Sequence, residues 1–155
     1  MNKQANSCSC FVCGIDNPYG LKLQFYSKSP GTVLCDHIVP EQFSGYPGTV
    51  HGGIIASMMD ELLGRVFIGE SGTPRFMYTA RLTIHYRKPV PIGQPLHMEA
   101  IAVKDKKRIA ESKGSLYGPG NELLVEAEGI LVNIPPEKLE ELDFEALGWR
   151  VYAEE

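Results

Sequence analysis

The sequence predicts an α+β domain in which a curved antiparallel β-sheet wraps around one long central helix. Between Val50 and Ile68 the apolar residues Ile54, Ile55, Met58, Leu62 and Val66 recur at helical spacing, and no proline interrupts them. The segments on either side read as strands punctuated by glycine and proline. One helix covers a single face of so long a sheet, so the sheet must curl around it. The edges and the other face then invite self-association.

The 155 residues suffice for one domain with a real core. The expected division is a single domain over 1–155, with an entry segment at 1–20 and a C-terminal helix and tail at 136–155. An apolar fraction of 43% and a charged fraction of 22% are ordinary for a soluble protein. A net charge of −4 provides no basic footprint, so nucleic acid is not an expected partner. No run approaches the roughly 18 apolar residues of a membrane span, and Met1 to Ser9 is too polar for a secretory signal. No membrane insertion and a cytoplasmic location are the expectation.

Taken in order, Leu21 to Tyr26 alternates apolar and polar residues as a half-buried strand does. Thr32 to Val39 follows the turn Ser29-Pro30-Gly31. Glu41 to Thr49, with Gly45, Pro47 and Gly48, reads as loop. The helix from Val50 is expected to end near Gly69, with Gly72 and Pro74 beyond it. Phe76 to Lys88 then alternates. Ala80, Leu82, Ile84 and Tyr86 are expected on one face, and Thr79, Arg81, Thr83, His85 and Arg87 on the other. Three more strands are expected at Leu96 to Lys104, Ile109 to Tyr117 and Leu123 to Ile134. They are joined by the basic turn Lys104-Asp105-Lys106-Lys107-Arg108 and by Gly118-Pro119-Gly120-Asn121. Pro136 to Leu147 reads as a short acidic helix.

Chemistry concentrates on the long helix. His51-Gly52-Gly53 lies where loop becomes helix, and unobstructed glycine N–H groups at the positive end of a helix dipole suit an oxygen that is gaining negative charge. The same glycines also suit a tight turn. Gly53, Ser57, Asp60 and Gly64 fall on one stripe of small residues with a single carboxylate in it. Asp60 on such a seam is a candidate base or nucleophile; on the solvated face it would be an ordinary helix carboxylate. Gly52 and Asp60 are eight residues apart, about 12 Å along a helix, too far to act on one carbonyl. If both are catalytic, the protein is at least a homodimer, with each site shared between two antiparallel helices.

The run from Gly45 to Glu61, which contains His51-Gly52-Gly53 and Asp60, resembles the hotdog-fold thioesterases of the phenylacetic-acid-degradation type. This group includes the mitochondrial-type long-chain acyl-CoA thioesterases. Tyr78 to Pro91 resembles the strand after the helix in that group. Cys10-Phe11-Val12-Cys13-Gly14 with Asn17-Pro18-Tyr19-Gly20-Leu21 resembles its entry segment. The resemblance implies a hotdog fold and hydrolysis of an acyl-CoA without cofactor or metal. Asp60 would be base or nucleophile, and the Gly52 N–H would polarise the thioester oxygen. His51 would fix the turn, and Thr79 would hydrogen-bond the carboxylate or the attacking water. Many relatives carry an amide or acidic side chain just before the glycine at position 45. Here Phe43-Ser44 stands there, with Gln42 further back.

Gly53 and Ser57 are expected to line the substrate, and Arg81, Arg87 and Lys88 to meet the CoA phosphates. The basic turn at Lys104–Arg108 is read as a solvated hairpin. His85 and His97 are read as packed or exposed, and Trp149 and Tyr152 as packing the tail. Cys8-x-Cys10-x-x-Cys13 invites a zinc reading, but the first pair is tightly spaced and no histidine lies nearby. Ordinary thiols in a reducing compartment are expected. The homodimer is expected to pair again into a homotetramer. Two other functions fit the same sequence: an acyl-thioester dehydratase or hydratase using His51, and a non-catalytic acyl-CoA-binding module.

Overall fold

The computed structural model describes residues 1–69 and 73–154. Its strands are β1 (Asn2–Lys3), β2 (Tyr26–Ser29), β3 (Thr32–Ile38), β4 (Met77–Tyr86), β5 (Pro95–Asp105), β6 (Ile109–Gly118) and β7 (Glu122–Asn133). They form one sheet in the order β1-β2-β3-β5-β6-β7-β4, antiparallel at every pairing. Helix α1 (Gly52–Arg65) packs against β3 to β7. This is the α+β architecture expected from the sequence.

The helix docks where the sheet makes room for it. Ile55, Met58, Met59, Leu62 and Leu63 are buried against Val33, Met98, Leu116, Val125 and Leu131. Each such side chain contributes about 1.5–3 kcal/mol relative to exposure. Gly114 and Gly129 lie directly beneath Leu63, where a Cβ would come within 3.3 and 3.2 Å of its methyl groups. Between them the buried Ser112 hydroxyl donates to the Leu63 carbonyl at 3.0 Å. Glycines and a serine at these positions let the helix backbone approach the sheet closely.

Four expectations are corrected. The strand expected over Leu21 to Tyr26 begins only at Tyr26. Leu21, Leu23 and Phe25 are buried and Lys22 and Gln24 exposed, so the alternation is real. However, Lys22 has φ 57°, and the N–H groups of Leu21 and Leu23 donate to Phe11 and Val12 rather than to a strand. Helix α1 is shorter at both ends than Val50 to Ile68. His51 caps its start, and the chain turns through Val66 to Ile68 to a left-handed Gly69 at φ 84°. Gly72, expected just beyond, lies outside the described residues. The C-terminal helix α2 (Pro136–Glu140) stops well short of Leu147. The Asp143 carboxylate accepts the N–H groups of Glu145 and Ala146, each at 3.0 Å, and turns the chain.

The fourth correction bears on the site. Thr79 pairs with Leu131 but Arg81 pairs with Ile130, so Ala80 is a bulge in β4. The extra residue reverses the alternation on its N-terminal side. Thr79 therefore shares the helix-facing side with Leu82, Ile84 and Tyr86, while Arg81, Thr83 and His85 face outward.

His37 on β3 is half-buried, and its Nε2 has no hydrogen-bond partner among the described residues. Burial pushes its pKa below the ordinary 6.5. The unfolded chain therefore binds a proton near that pH while the folded chain does not, and stability falls as the pH drops through and below about 6.5. Urea midpoints measured between about pH 7.5 and pH 5.5 should fall more steeply for the wild type than for His37→Gln.

Candidate active site

The loop from Gly45 to Val50 delivers His51 to the start of α1. The His51 N–H donates to the Phe43 carbonyl, and its own carbonyl accepts from Ile54 and Ile55. The ring closes the cap, with Nδ1 accepting the Gly53 N–H at 2.9 Å. An accepting Nδ1 puts the ring proton of neutral His51 on Nε2. A Cβ at position 53 would sit 3.2 Å from Nδ1, so glycine suits this cap. The Gly53 N–H is thus committed to His51. The neighbouring Gly52 N–H meets no acceptor among the described residues. Tyr86 steadies this turn from β4, its hydroxyl donating to the Gly52 carbonyl at 2.9 Å.

Two turns further along α1 is Asp60. The bulge at Ala80 aims Thr79 at it, and the Thr79 hydroxyl donates to Asp60 Oδ1 at 2.6 Å. The other carboxylate oxygen remains available to a reacting group. Ser57 hydrogen-bonds the Gly53 carbonyl at 3.0 Å, back along its own helix. β4 therefore lies beside α1, touching it at Gly52 through Tyr86 and at Asp60 through Thr79. Along the helix these two points are about 12 Å apart.

Asp60 and Thr79 border a cavity of about 310 Å³ that runs along α1 past Gly64 and Ile68. Met77 and Leu131 line its sheet side, and Leu142, Leu147 and Trp149 of the tail line it as well. The tail is firmly seated. Phe76 stacks on Phe144 and meets Trp149 edge-on, and the Cys8 and Asn6 N–H groups donate to Leu147 and Arg150.

Several contributors were not singled out from the sequence. Glu61, in the sequence only the acid that follows Asp60, forms part of the cavity wall. Burial raises its carboxyl pKa, opposed by the adjacent Arg65 guanidinium. Arg65 is 1% exposed; its Nε donates to Glu61 at 2.8 Å and its Nη1 to the Ala5 carbonyl. Its guanidinium stacks over the rings of Phe25 and Trp149, 4.6 and 5.0 Å from their centroids. The spacing of Glu61 and Arg65, four apart on a helix, was the available signal. On the same wall a thiol hydrogen bond from Cys13 lowers the Cys10 pKa to about 6. That bond and burial together raise the pKa of Cys13.

The other expected residues are not gathered at the carboxylate within one chain. Arg81 points outward on the opposite face from Thr79. Arg87 and Lys88, just past the end of β4, make exposed ion pairs with Glu126 and Glu122. His85 is exposed, and His97 pairs with Asp36 at 2.6 Å. Gln42 lies exposed in the 3-10 turn Glu41–Phe43.

Residues 47–125 match the family model described as thioesterase superfamily. Human acyl-coenzyme A thioesterase 13 is 29% identical over 90 residues, which cover 57% of this chain and 63% of the relative. The chain thus spans less than two thirds of that relative's length. A crystal structure of a thioesterase superfamily protein superposes with a TM-score of 0.72 at 26% identity, covering 81% of this chain and 63% of that one. A Streptococcus mutans protein solved with acetyl CoA shares the fold, with a TM-score of 0.65 at 21% identity over 72% of this chain and 88% of its own.

Arg65→Ala should unfold in urea with about 3–5 kcal/mol less stability, because it leaves the buried side of Glu61 unpaired and empties the space between Phe25 and Trp149. A midpoint close to wild type would contradict this role.

Proposed function

This chain belongs to the thioesterase superfamily, and from that premise we propose that it hydrolyses an acyl-CoA to the free acid and CoA. The observation that carries the reading is Asp60, a carboxylate held by Thr79 at 2.6 Å at the border of a cavity. With Oδ1 occupied, the other oxygen attacks the thioester carbonyl directly or takes a proton from the attacking water. Collapse of the tetrahedral intermediate breaks the C–S bond. On the water route this yields the free acid, and on the direct route an Asp60 mixed anhydride that a water molecule then hydrolyses; in both, the proton given up by water goes to the departing CoA thiolate. The name of the human relative and the acetyl CoA in the Streptococcus structure support this substrate class.

The developing oxyanion needs a donor near the same carbonyl, and Gly52 of the same chain is about 12 Å away. Pairing of two chains supplies it. β4 is an edge strand, touching Asp60 at Thr79 and Gly52 at Tyr86. Antiparallel pairing of two β4 edges, centred between Leu82 and Thr83, sets Thr79 of one chain opposite Tyr86 of the other. Asp60 then meets Gly52 of a second copy, and the homodimer holds two equivalent sites. Arg87 and Lys88 follow Tyr86 and so flank the mouth of the shared site. Their exposed ion pairs are worth about 0–1 kcal/mol, so exchange for CoA phosphates costs little. Exposed Ile101, Val103 and Ile109 offer an apolar face for pairing dimers into a homotetramer. The free thiols fit a reducing, cytoplasmic setting, and no helix among the described residues is long and apolar enough to cross a membrane.

The acyl group fits the cavity bordered by Asp60, at the small end of the roughly 300–1,000 Å³ typical of ligand pockets. Part of its wall is the tail, outside the matched residues 47–125. Chain-length selection therefore falls to Leu142, Leu147 and Trp149.

Thiol release from a panel of acyl-CoA esters tests the reading. Asp60→Asn should lose about 10²–10⁴-fold in kcat; full activity in the variant, or no activity of the wild type on any ester, would sink it. Proline at the first helical position is tolerated but lacks the N–H. Mixed Gly52→Pro and Asp60→Asn chains should therefore recover part of the activity that each lacks alone. On the same panel, Leu142→Ala should move kcat/KM toward longer acyl chains by about tenfold, and an unchanged length profile would remove the tail from substrate selection.

A further inference from the structure

We propose that Cys10, Cys13 and Glu61 form a zinc-binding site on the wall of the Asp60 cavity. The donor atoms of the three residues all lie within 4.8 Å of one another, and all three residues line that cavity. A tetrahedral zinc ion with two sulfur ligands and one oxygen ligand holds its donors roughly 3.5 Å apart, so only small side-chain shifts are needed.

The loop is already shaped for the task. The Gly14 N–H donates to the Cys10 carbonyl at 2.8 Å, and the Val12 N–H donates to Cys10 Sγ at 3.3 Å, which favours a thiolate. A Cβ on Gly14 would strike the Cys10 carbonyl oxygen at 2.3 Å, so glycine is required where the loop closes. Backbone hydrogen bonds from Leu21 and Leu23 to Phe11 and Val12 hold the loop in place. Cys8, whose tight spacing argued against a metal in the sequence, is not part of this group. Its sulfur lies 3.4 Å from the Tyr152 hydroxyl, and Cys35 is buried in the core. What remains is a two-residue Cys-x-x-Cys spacing, with the third ligand supplied by α1.

Charge supports a divalent cation. Two thiolates and the Glu61 carboxylate carry three negative charges, which zinc and the buried Arg65 guanidinium together neutralise. Arg65 engages Glu61 through Oε1, leaving Oε2 for the metal. The fourth ligand would be a water from the cavity. Such an ion ties the entry segment to α1 one residue from Asp60, and this role does not depend on the hydrolase reading.

The test uses the full chain loaded with zinc, dialysed, and assayed for metal by mass spectrometry. One zinc per chain is expected, falling below about a tenth of that in a Cys10→Ser, Cys13→Ser double variant. Glu61→Gln, which keeps a hydrogen-bond acceptor for Arg65, should bind zinc at least about tenfold more weakly in competition with a chromophoric chelator. Cobalt(II) in place of zinc should give thiolate-to-metal charge-transfer absorption in the wild type and a changed spectrum in Glu61→Gln. That comparison carries the test even if the double variant does not fold. Equal metal content in wild type and variants, or absence of the cobalt charge-transfer band in the wild type, would each overturn the site.

Discussion

Arg65 sits at the last turn of α1, 1% exposed, and reaches three parts of the chain at once. It donates to Glu61 on its own helix and to the Ala5 carbonyl of the entry segment, and it stacks between Phe25 and Trp149. Its own carbonyl accepts from the buried Gln4 side chain. A buried guanidinium is costly unless its hydrogen bonds and its counter-charge are supplied. Here Glu61 supplies the counter-charge, the Ala5 carbonyl of the entry segment accepts one hydrogen bond, and the Trp149 ring of the tail covers the guanidinium. Nη2 of Arg65 is buried with no hydrogen-bond partner among the described residues. The tail that stacks on Arg65 also brings Leu147 and Trp149 to the cavity wall.

The other end of α1 is organised by hydrogen bonds rather than by charge. His51 consumes the Gly53 N–H, Tyr86 consumes the Gly52 carbonyl, and the Gly52 N–H meets no acceptor among the described residues. The same strand that provides Tyr86 provides Thr79 for Asp60, but only because Ala80 bulges. Without the extra residue, Thr79 would point away from the helix with Arg81. A single strand thus fixes both the glycine turn and the carboxylate of the helix, and it lies at the edge of the sheet.

Much of this was legible in the residues. The helix, the order of the strands and the placement of turns follow from periodicity and from glycine and proline, which act over a few residues. The stripe of Gly53, Ser57, Asp60 and Gly64 was equally visible, as was the eight-residue separation of Gly52 from Asp60. Other features were not. The segment from Leu21 to Phe25 has a strand's alternation, yet its N–H groups go to the Cys10–Gly14 loop. Glu61 is simply the acid after Asp60, yet it pairs with the buried Arg65 and lines the cavity.

By itself, the sequence determined that one amphipathic helix carries a single carboxylate on a stripe of small residues, and a glycine N-terminus too far from it to share a carbonyl. Those are local properties, set by helical rise and residue type. Only the tertiary structure decided that Thr79 faces Asp60, that Cys10 and Cys13 meet Glu61, and that the tail lines the cavity. Each of these depends on a β-bulge, a loop closure or a buried charge. Such features bring together residues far apart in the sequence, whose compatibility is tested only when the chain is packed.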